Sequence, residues 1–309
     1  MRMPKWFLFV LLILANLIWS GSFPATSVAS QSIAPTLLVM CRLLIGGAIL
    51  SPFIWIHKRR AGALPPFRSL LRTAILGLLG FTVPVTLETI GIHRSSPALG
   101  AVSIALEPLF TLLVAALLYR TKLGPVRWFA MGIAAVGAWV IAGCPRPGFV
   151  GYLLGDVLML IAVLCYAVYN AVSGRLTADV PPTVATSVML LTSGIGCIPL
   201  FWLTGHHFPR HLSTPAVVSA LFLCVLATAG AYLVWVIVLQ DHDVSSAAIT
   251  LYLQPIFGVL LSIAIVHVRP EWYFYVGSVL IFGALFLGRN RAVQSRAANA
   301  PDIGGITNE

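Results

Sequence analysis

The sequence predicts an all-α integral membrane protein, with ten transmembrane helices arranged as two inverted five-helix repeats. Three observations carry that expectation. Apolar stretches of about 20 residues, long enough to cross roughly 30 Å of hydrocarbon as helices, recur almost from end to end. Basic residues crowd into alternate gaps between those stretches. The second half also repeats landmarks of the first at a constant offset of 147 residues.

Composition excludes a soluble domain: 59% of the chain is hydrophobic and 9% charged, against roughly 25% charged in soluble domains. Helices rather than a barrel follow, because a lipid-exposed backbone must satisfy its own hydrogen bonds and the runs lack barrel-like alternation. The net charge of +10 is no nucleic-acid footprint, since the basic residues sit in short gaps between spans, as topology signals do. No nucleic-acid partner is expected. The cysteines (Cys41, Cys144, Cys165, Cys197 and Cys224) show no metal or redox spacing; they read as small core residues. No metal-ligating or cofactor-binding pattern emerges.

In chain order, the expected spans are 6–25, 35–56, 71–92, 96–118, 127–143, 152–173, 184–204, 214–239, 244–266 and 272–288. The first follows Arg2 and Lys5 and ends in "ATSVAS", the pattern of a secretory signal with a cleavage site. Removing it would strip Tyr166 of its repeat partner Trp19, so the span is expected to be retained. After the tenth span the tail "RNRAVQSRAANAPDIGGITNE" is polar and aperiodic, and disorder is expected from Arg289. Three segments follow: residues 1–145, 146–288 and the tail 289–309.

Orientation comes from the charges. With a cytoplasmic N-terminus, that side holds Arg2, Lys5, Lys58, Arg59, Arg60, Arg68, Arg72, Arg120, Lys122, Arg127, Arg175, Arg289, Arg291 and Arg296. The other side holds Arg94, Arg146, Arg210 and Arg269. Fourteen against four is a clear positive-inside bias. It places the protein in a plasma (inner) membrane with both termini cytoplasmic.

At the offset of 147, "SPALGAVSIALEPLFTLL" (96–113) falls on "DVSSAAITLYLQPIFGVL" (243–260). Pro108 then meets Pro255, Phe110 meets Phe257, and Glu107 meets Gln254. Trp19 meets Tyr166, and Ile90, Ile92 and His93 meet Ile237, Leu239 and Gln240. Each half carries five spans, an odd number, so the halves run in opposite senses. Inverted repeats are a common construction of secondary transporters, which rock about a site near the midplane.

The chain resembles the EamA-type branch of the drug/metabolite transporters. The resemblance rests on "NLIWSGSF" (16–23), "CRLLIGGAIL" (41–50), "SSPALGAVSIALEPLFTLLVAALL" (95–118), "GDVLMLIAVLCYAVYNAVSGRL" (155–176) and "SSAAITLYLQPIFGVLLSIAI" (245–265). It implies ten helices around a central cavity and export or exchange of a small metabolite. The family's Gly-Glu turn after the fourth and ninth spans is replaced by "YRTKL" (119–123) and "VHVRP" (266–270).

Candidate site residues lie inside the spans. Glu107 is mid-span, where a charge costs on the order of 2.5–3.5 kcal/mol on insertion scales, so it is expected to contact a substrate amine or carry a proton. The alternative is a protonated acid bonded to a neighbouring helix. Gln254 is its neutral counterpart. Arg42 and Glu88 fall in the outward third of their spans, either paired with each other, snorkelling or receiving a substrate carboxylate. Trp19, Tyr166, Tyr169, Tyr232, Trp235 and Tyr252 could line a cavity for an amphipathic solute, or simply pack. Asn16 and Asn170 could contact solute or bond between helices. Pro108 and Pro255 break or hinge their helices. Gly132, Gly137, Gly151 and Gly155 read as close-packing positions, and Asp156 as a capping or solvated carboxylate near the interface.

A secondary transporter, exporting an amino acid or related amphipathic solute by alternating access, fits these features. Its partners are a small-molecule substrate and the bilayer, with possible proton coupling, in a monomer or homodimer. No G-x-x-x-x-G-K-[ST] run is present to bind ATP, so the energy would come from a proton gradient or exchange. The alternatives are a membrane-embedded enzyme, for which no nucleophile–base pattern appears, and a scaffold or sensor.

Overall fold

The computed structural model describes residues 5–120, 123–141, 149–204, 208–209, 211–235, 253–267 and 269–298. The first half comprises α1 (Lys5–Ala29), α2 (Pro35–Leu50), α3 (Pro52–Ala61), α4 (Phe67–Gly77), α5 (Val83–Arg94), α6 (Pro97–Ser103), α7 (Glu107–Leu118) and α8 (Pro125–Ile141). The second half comprises α9 (Phe149–Leu176), α10 (Pro182–Leu203), α11 (Thr214–Leu221), α12 (Leu253–Val266) and α13 (Trp272–Ala298). Seven stretches are long and apolar enough to cross a membrane, and the shorter apolar helices Pro125–Val140, Leu253–Val266 and Trp272–Ala284 complete ten crossings. The third span starts at Phe67, earlier than expected, and α13 runs to Ala298, so the tail expected to be disordered from Arg289 begins as helix. Residues 299–309 lie outside the described residues.

Several spans are broken where the sequence leaves a backbone group without its helical partner. The helical bonding of span two is interrupted at Ser51, between α2 and α3. Pro52 has no N–H, and the Ile54 amide turns to the Ser51 carbonyl (3.0 Å). The Leu50 carbonyl instead accepts the Ser187 hydroxyl of α10 at 2.8 Å. Span three passes through a π-helical segment, Leu78–Thr82, and span eight through another, Phe222–Gly230. The offset of 147 places the first segment within the second. Such π segments are rare and cluster at functional sites. Span four tightens to a 3-10 turn, Ile104–Leu106, directly before Glu107.

The packing follows a two-fold pattern that exchanges the halves. α2 packs on α10, and α8 on α13, so repeat-related spans meet each other directly. α7 packs on α9 as α12 packs on α1, and span three packs on α9 as span eight packs on α1. Glycines set the closest approaches. A Cβ on Gly47 would lie 2.7 Å from the Leu191 nitrogen, and one on its repeat partner Gly194 would lie 2.6 Å from the Leu44 nitrogen. Gly155 lies against the Gly91 carbonyl and Gly137 against the Gly277 carbonyl, as close-packing positions should. Gly132 instead faces open space.

Candidate solute site where the two halves meet

Glu107 is the first residue of α7 and Pro108 the second. Pro108 lacks the N–H that would bond back to the preceding turn, and the chain tightens to the 3-10 turn just before it. The sequence "LEP" thus places an acid in mid-span where a 3-10 turn passes into α7, the Glu107 amide donating to the Ile104 carbonyl. Glu107 is half-buried, and its Oε1 accepts Asn170 Nδ2 of α9 at 2.5 Å.

One turn back along α9, the Tyr166 hydroxyl donates to Glu88 Oε2 at 2.7 Å. Glu88, on α5, is 7% exposed, and Arg42, on α2, is 8% exposed. Arg42 lies within electrostatic reach of Glu88, but the two form no contact ion pair among the described residues. Arg42 Nε donates instead to Thr228 Oγ1 in the π segment of span eight, at 2.9 Å. Of the alternatives for Arg42 and Glu88, a direct ion pair is not formed; Thr228 and Tyr166 are the hydrogen-bond partners seen for them.

The opposite wall is aromatic. Trp19 of α1 meets Trp235 at 5.6 Å and Tyr232 at 5.3 Å between ring centroids. Tyr232 touches Phe81 at 5.5 Å, and Phe81 touches Tyr169 at 5.2 Å. Trp19 Nε1 also donates to the Ala227 carbonyl of the span-eight π segment, at 2.9 Å. Tyr169 donates to Met189 Sδ at 3.8 Å and lies across Gly80, the repeat counterpart of Ala227. Gln254, near the start of α12, donates to Asn16 Oδ1 at 2.9 Å. Its own carbonyl accepts the Ser20 hydroxyl at 3.1 Å.

The offset of 147 relates parts of these walls. Glu107 and Gln254 are repeat partners, an acid exchanged for an amide, and each bonds an asparagine of the facing first helix, though Asn170 of span six and Asn16 of span one sit at different repeat positions. Glu88 on Tyr166 corresponds to Trp235 on Trp19, a carboxylate exchanged for a ring. The side facing span six is acidic, and the side facing span one is neutral and aromatic.

Most of the expected site residues gather here. Tyr252 lies outside the described residues, and so does the stretch before Leu253 in which Pro255 could form a break like that at Pro108. Phe81 and Thr228 were not among the expected site residues; they are repeat partners at the offset of 147, and both lie in the paired π segments. Asp156 differs from expectation: it is 8% exposed rather than solvated, and its Oδ1 accepts the Ser95 hydroxyl at 2.6 Å. The closing of the span three–four turn onto α9 shields it. Among the described residues no group of His, Cys, Asp and Glu could hold a metal ion.

Ten apolar helices in two inverted halves, meeting around buried charges, define a polytopic membrane transporter. The family model described as the EamA-like transporter family matches residues 6–143 and 153–288, and the chain belongs to that family. A protein of Archaeoglobus fulgidus named "Uncharacterized transporter" is 23% identical over 280 residues, covering 90% of this chain and 96% of that one. The "Uncharacterized inner membrane transporter YedA" of Escherichia coli K12 is 24% identical, covering 82% and 81%. A "Probable terminal-alkyne amino-acid exporter" of Streptantibioticus cattleyicolor is 24% identical over 296 residues, covering 94% and 96%. One solved crystal structure matches with a TM-score of 0.61 at 22% identity, covering 92% of this chain and 98% of its own.

Proposed function

We propose that the protein is a secondary active transporter, not an enzyme. It exports a small amphipathic metabolite, an amino acid or related solute, by alternating access. The observation that carries this reading is the layer around Tyr232, whose ring touches Trp19 and Phe81 and lies within electrostatic reach of Arg42, Glu88 and Glu107. That layer lies where elements of both halves cross, so rocking the halves changes its exposure to each side. The carboxylates suit a substrate ammonium, Arg42 a carboxylate, and the rings an apolar body. The similarity to a protein named as an amino-acid exporter supports the substrate class.

Glu107 has a second role in this reading. A half-buried carboxylate in mid-membrane takes up a proton when no substrate amine occupies it, which links export to a proton gradient. The protein works in the plasma (inner) membrane, with both termini cytoplasmic, as a monomer or homodimer and without a cofactor. The Arg72–Asp179 ion pair (3.0 Å) then lies at the cytoplasmic face. The test is efflux of radiolabelled amino acids and amines from vesicles carrying the purified protein. Movement of a subset under an imposed pH gradient is expected; no movement of any solute, with or without the gradient, refutes the reading.

A further inference from the structure

The turn between spans two and three gathers cations with no acid among them. Residues 1–87 hold no Asp or Glu, and Lys58, Arg59, Arg60, Arg68 and Arg72 all fall within residues 58–72. Lys58, Arg59 and Arg60 form the last turn of α3, and Arg68 and Arg72 lie in the first two turns of α4. Gly62 closes α3 in the left-handed conformation, with φ 76°, and both α3 and α4 pack on α10. The two sets of cations therefore stand together at one end of this helix group, all five exposed. Arg72 is neutralised, since it pairs with Asp179 at 3.0 Å and donates to Ser69 at 3.1 Å. The other four have no ion-pair partner among the described residues.

Their surroundings are apolar. Trp55 is 54% exposed, and Phe67, Leu71 and Ile75, four residues apart on one face of α4, are 77%, 47% and 49% exposed. The Arg59 guanidinium lies over the Trp55 ring, its carbon 3.6 Å from the ring centroid. Stacking fixes a guanidinium in place and leaves its N–H edge free for an anion. Rings at headgroup depth beside unpaired cations are what an anionic membrane surface favours.

The inverted repeat separates the membrane belt from the charge. Trp55 corresponds to Trp202, 66% exposed at the end of span seven. Lys58, Arg59 and Arg60 correspond to Gly205, His206 and His207, and Arg68 and Arg72 to Pro215 and Ser219. The tryptophan is common to both halves, as an interfacial anchor should be, whereas the cations belong to one. An excess of Lys and Arg sets orientation wherever it falls in the short loops of one side. It does not call for four unpaired cations round a stacked ring.

We propose that this turn binds an anionic phospholipid. Lys58, Arg59, Arg60 and Arg68 hold the headgroup phosphate, and the acyl chains lie along Phe67, Leu71 and Ile75. The site is separate from the central layer and stands whether or not the chain moves solute.

The purified protein in neutral-detergent micelles is titrated with phosphatidylglycerol, and bound lipid is counted by native mass spectrometry. Phosphatidylcholine, which carries the phosphate without net charge, is the reference. Phosphatidylglycerol is expected to bind about tenfold more tightly or better. The triple variant Lys58→Gln, Arg59→Gln, Arg60→Gln is expected to lose that advantage. Arg289→Gln, Arg291→Gln, Arg296→Gln together remove as many cations and are expected to keep it. Trp55→Ala, which leaves every charge, is expected to weaken phosphatidylglycerol binding several-fold, and its counterpart Trp202→Ala is not. Micelles remove any dependence on the direction of insertion. Where the triple variant does not fold, Arg59→Gln carries the same expectation as Trp55→Ala. Equal binding of the two lipids, or equal losses in the two triple variants, overturns the proposal. So does displacement of the lipid by inorganic phosphate beyond that by chloride at the same ionic strength, which would assign the cations to a soluble anion.

Discussion

Replacing Gly47 by alanine presses a methyl group into the crossing of α2 and α10. The added carbon would sit 2.7 Å from the Leu191 nitrogen and 3.1 Å from the Leu190 carbonyl carbon, against ordinary contacts of 3.4–4 Å. Those are backbone atoms, so no side chain can turn aside and the helices must part by most of an ångström. Overpacking of this kind costs about 1–3 kcal/mol. Gly194→Ala meets the Leu44 nitrogen at 2.6 Å and should cost a similar amount. The two sites are repeat partners on one crossing, so a separation forced by either makes room for the other. The double variant is therefore expected to lose less than the sum, with a coupling of about 0.5–3 kcal/mol as for other residues in contact. Reversible unfolding of the purified protein in mixed micelles measures all three, with Gly132→Ala as control because its added carbon meets nothing within 4 Å. Single variants within about 0.5 kcal/mol of the parent, the range of ordinary surface changes, or losses that simply add, would refute the crossing.

Other expectations follow from the same contacts. Ser187→Ala strips the Leu50 carbonyl of its donor at the Pro52 break and should lower stability by about 1–3 kcal/mol in the same unfolding assay. Asp179→Asn removes the ion pair with Arg72, whose side chains are 49% and 61% exposed. It should cost less than about 1 kcal/mol, an effect that fades in high salt. Tyr166→Phe keeps the ring and removes the donor to Glu88; it should leave insertion intact and weaken solute binding, read by titration with the solute found in the efflux panel.

The fold was legible because a membrane simplifies the inference. Length and hydropathy fixed the crossings, and a single ungapped offset fixed the inversion. What pattern alone missed was where helices depart from regularity. The break at Ser51 could be suspected from Pro52, but the π segments of spans three and eight carry no proline, and their positions follow from packing against Tyr169 and Trp19. Arg42 and Glu88 were legible as costly charges in apolar runs. Their partners were not, since Thr228 is nearly 200 positions away in the chain and threonine is common in spans. The depth of Asp156 was misread because its shield, Ser95, comes from a turn between other spans.

The central claim is that one layer joining the halves moves solute and that Glu107 couples the movement to protons. Flux of the panel solute into and out of vesicles, with and without an imposed pH gradient, compared between the parent and Glu107→Gln, tests it most directly. The isosteric amide can still bond to Asn170, so the helices should stay in place. The account predicts that the gradient drives flux in the parent and that the variant, still inserted, no longer responds to it. Equal gradient dependence in both would contradict the claim and leave Glu107 a structural residue.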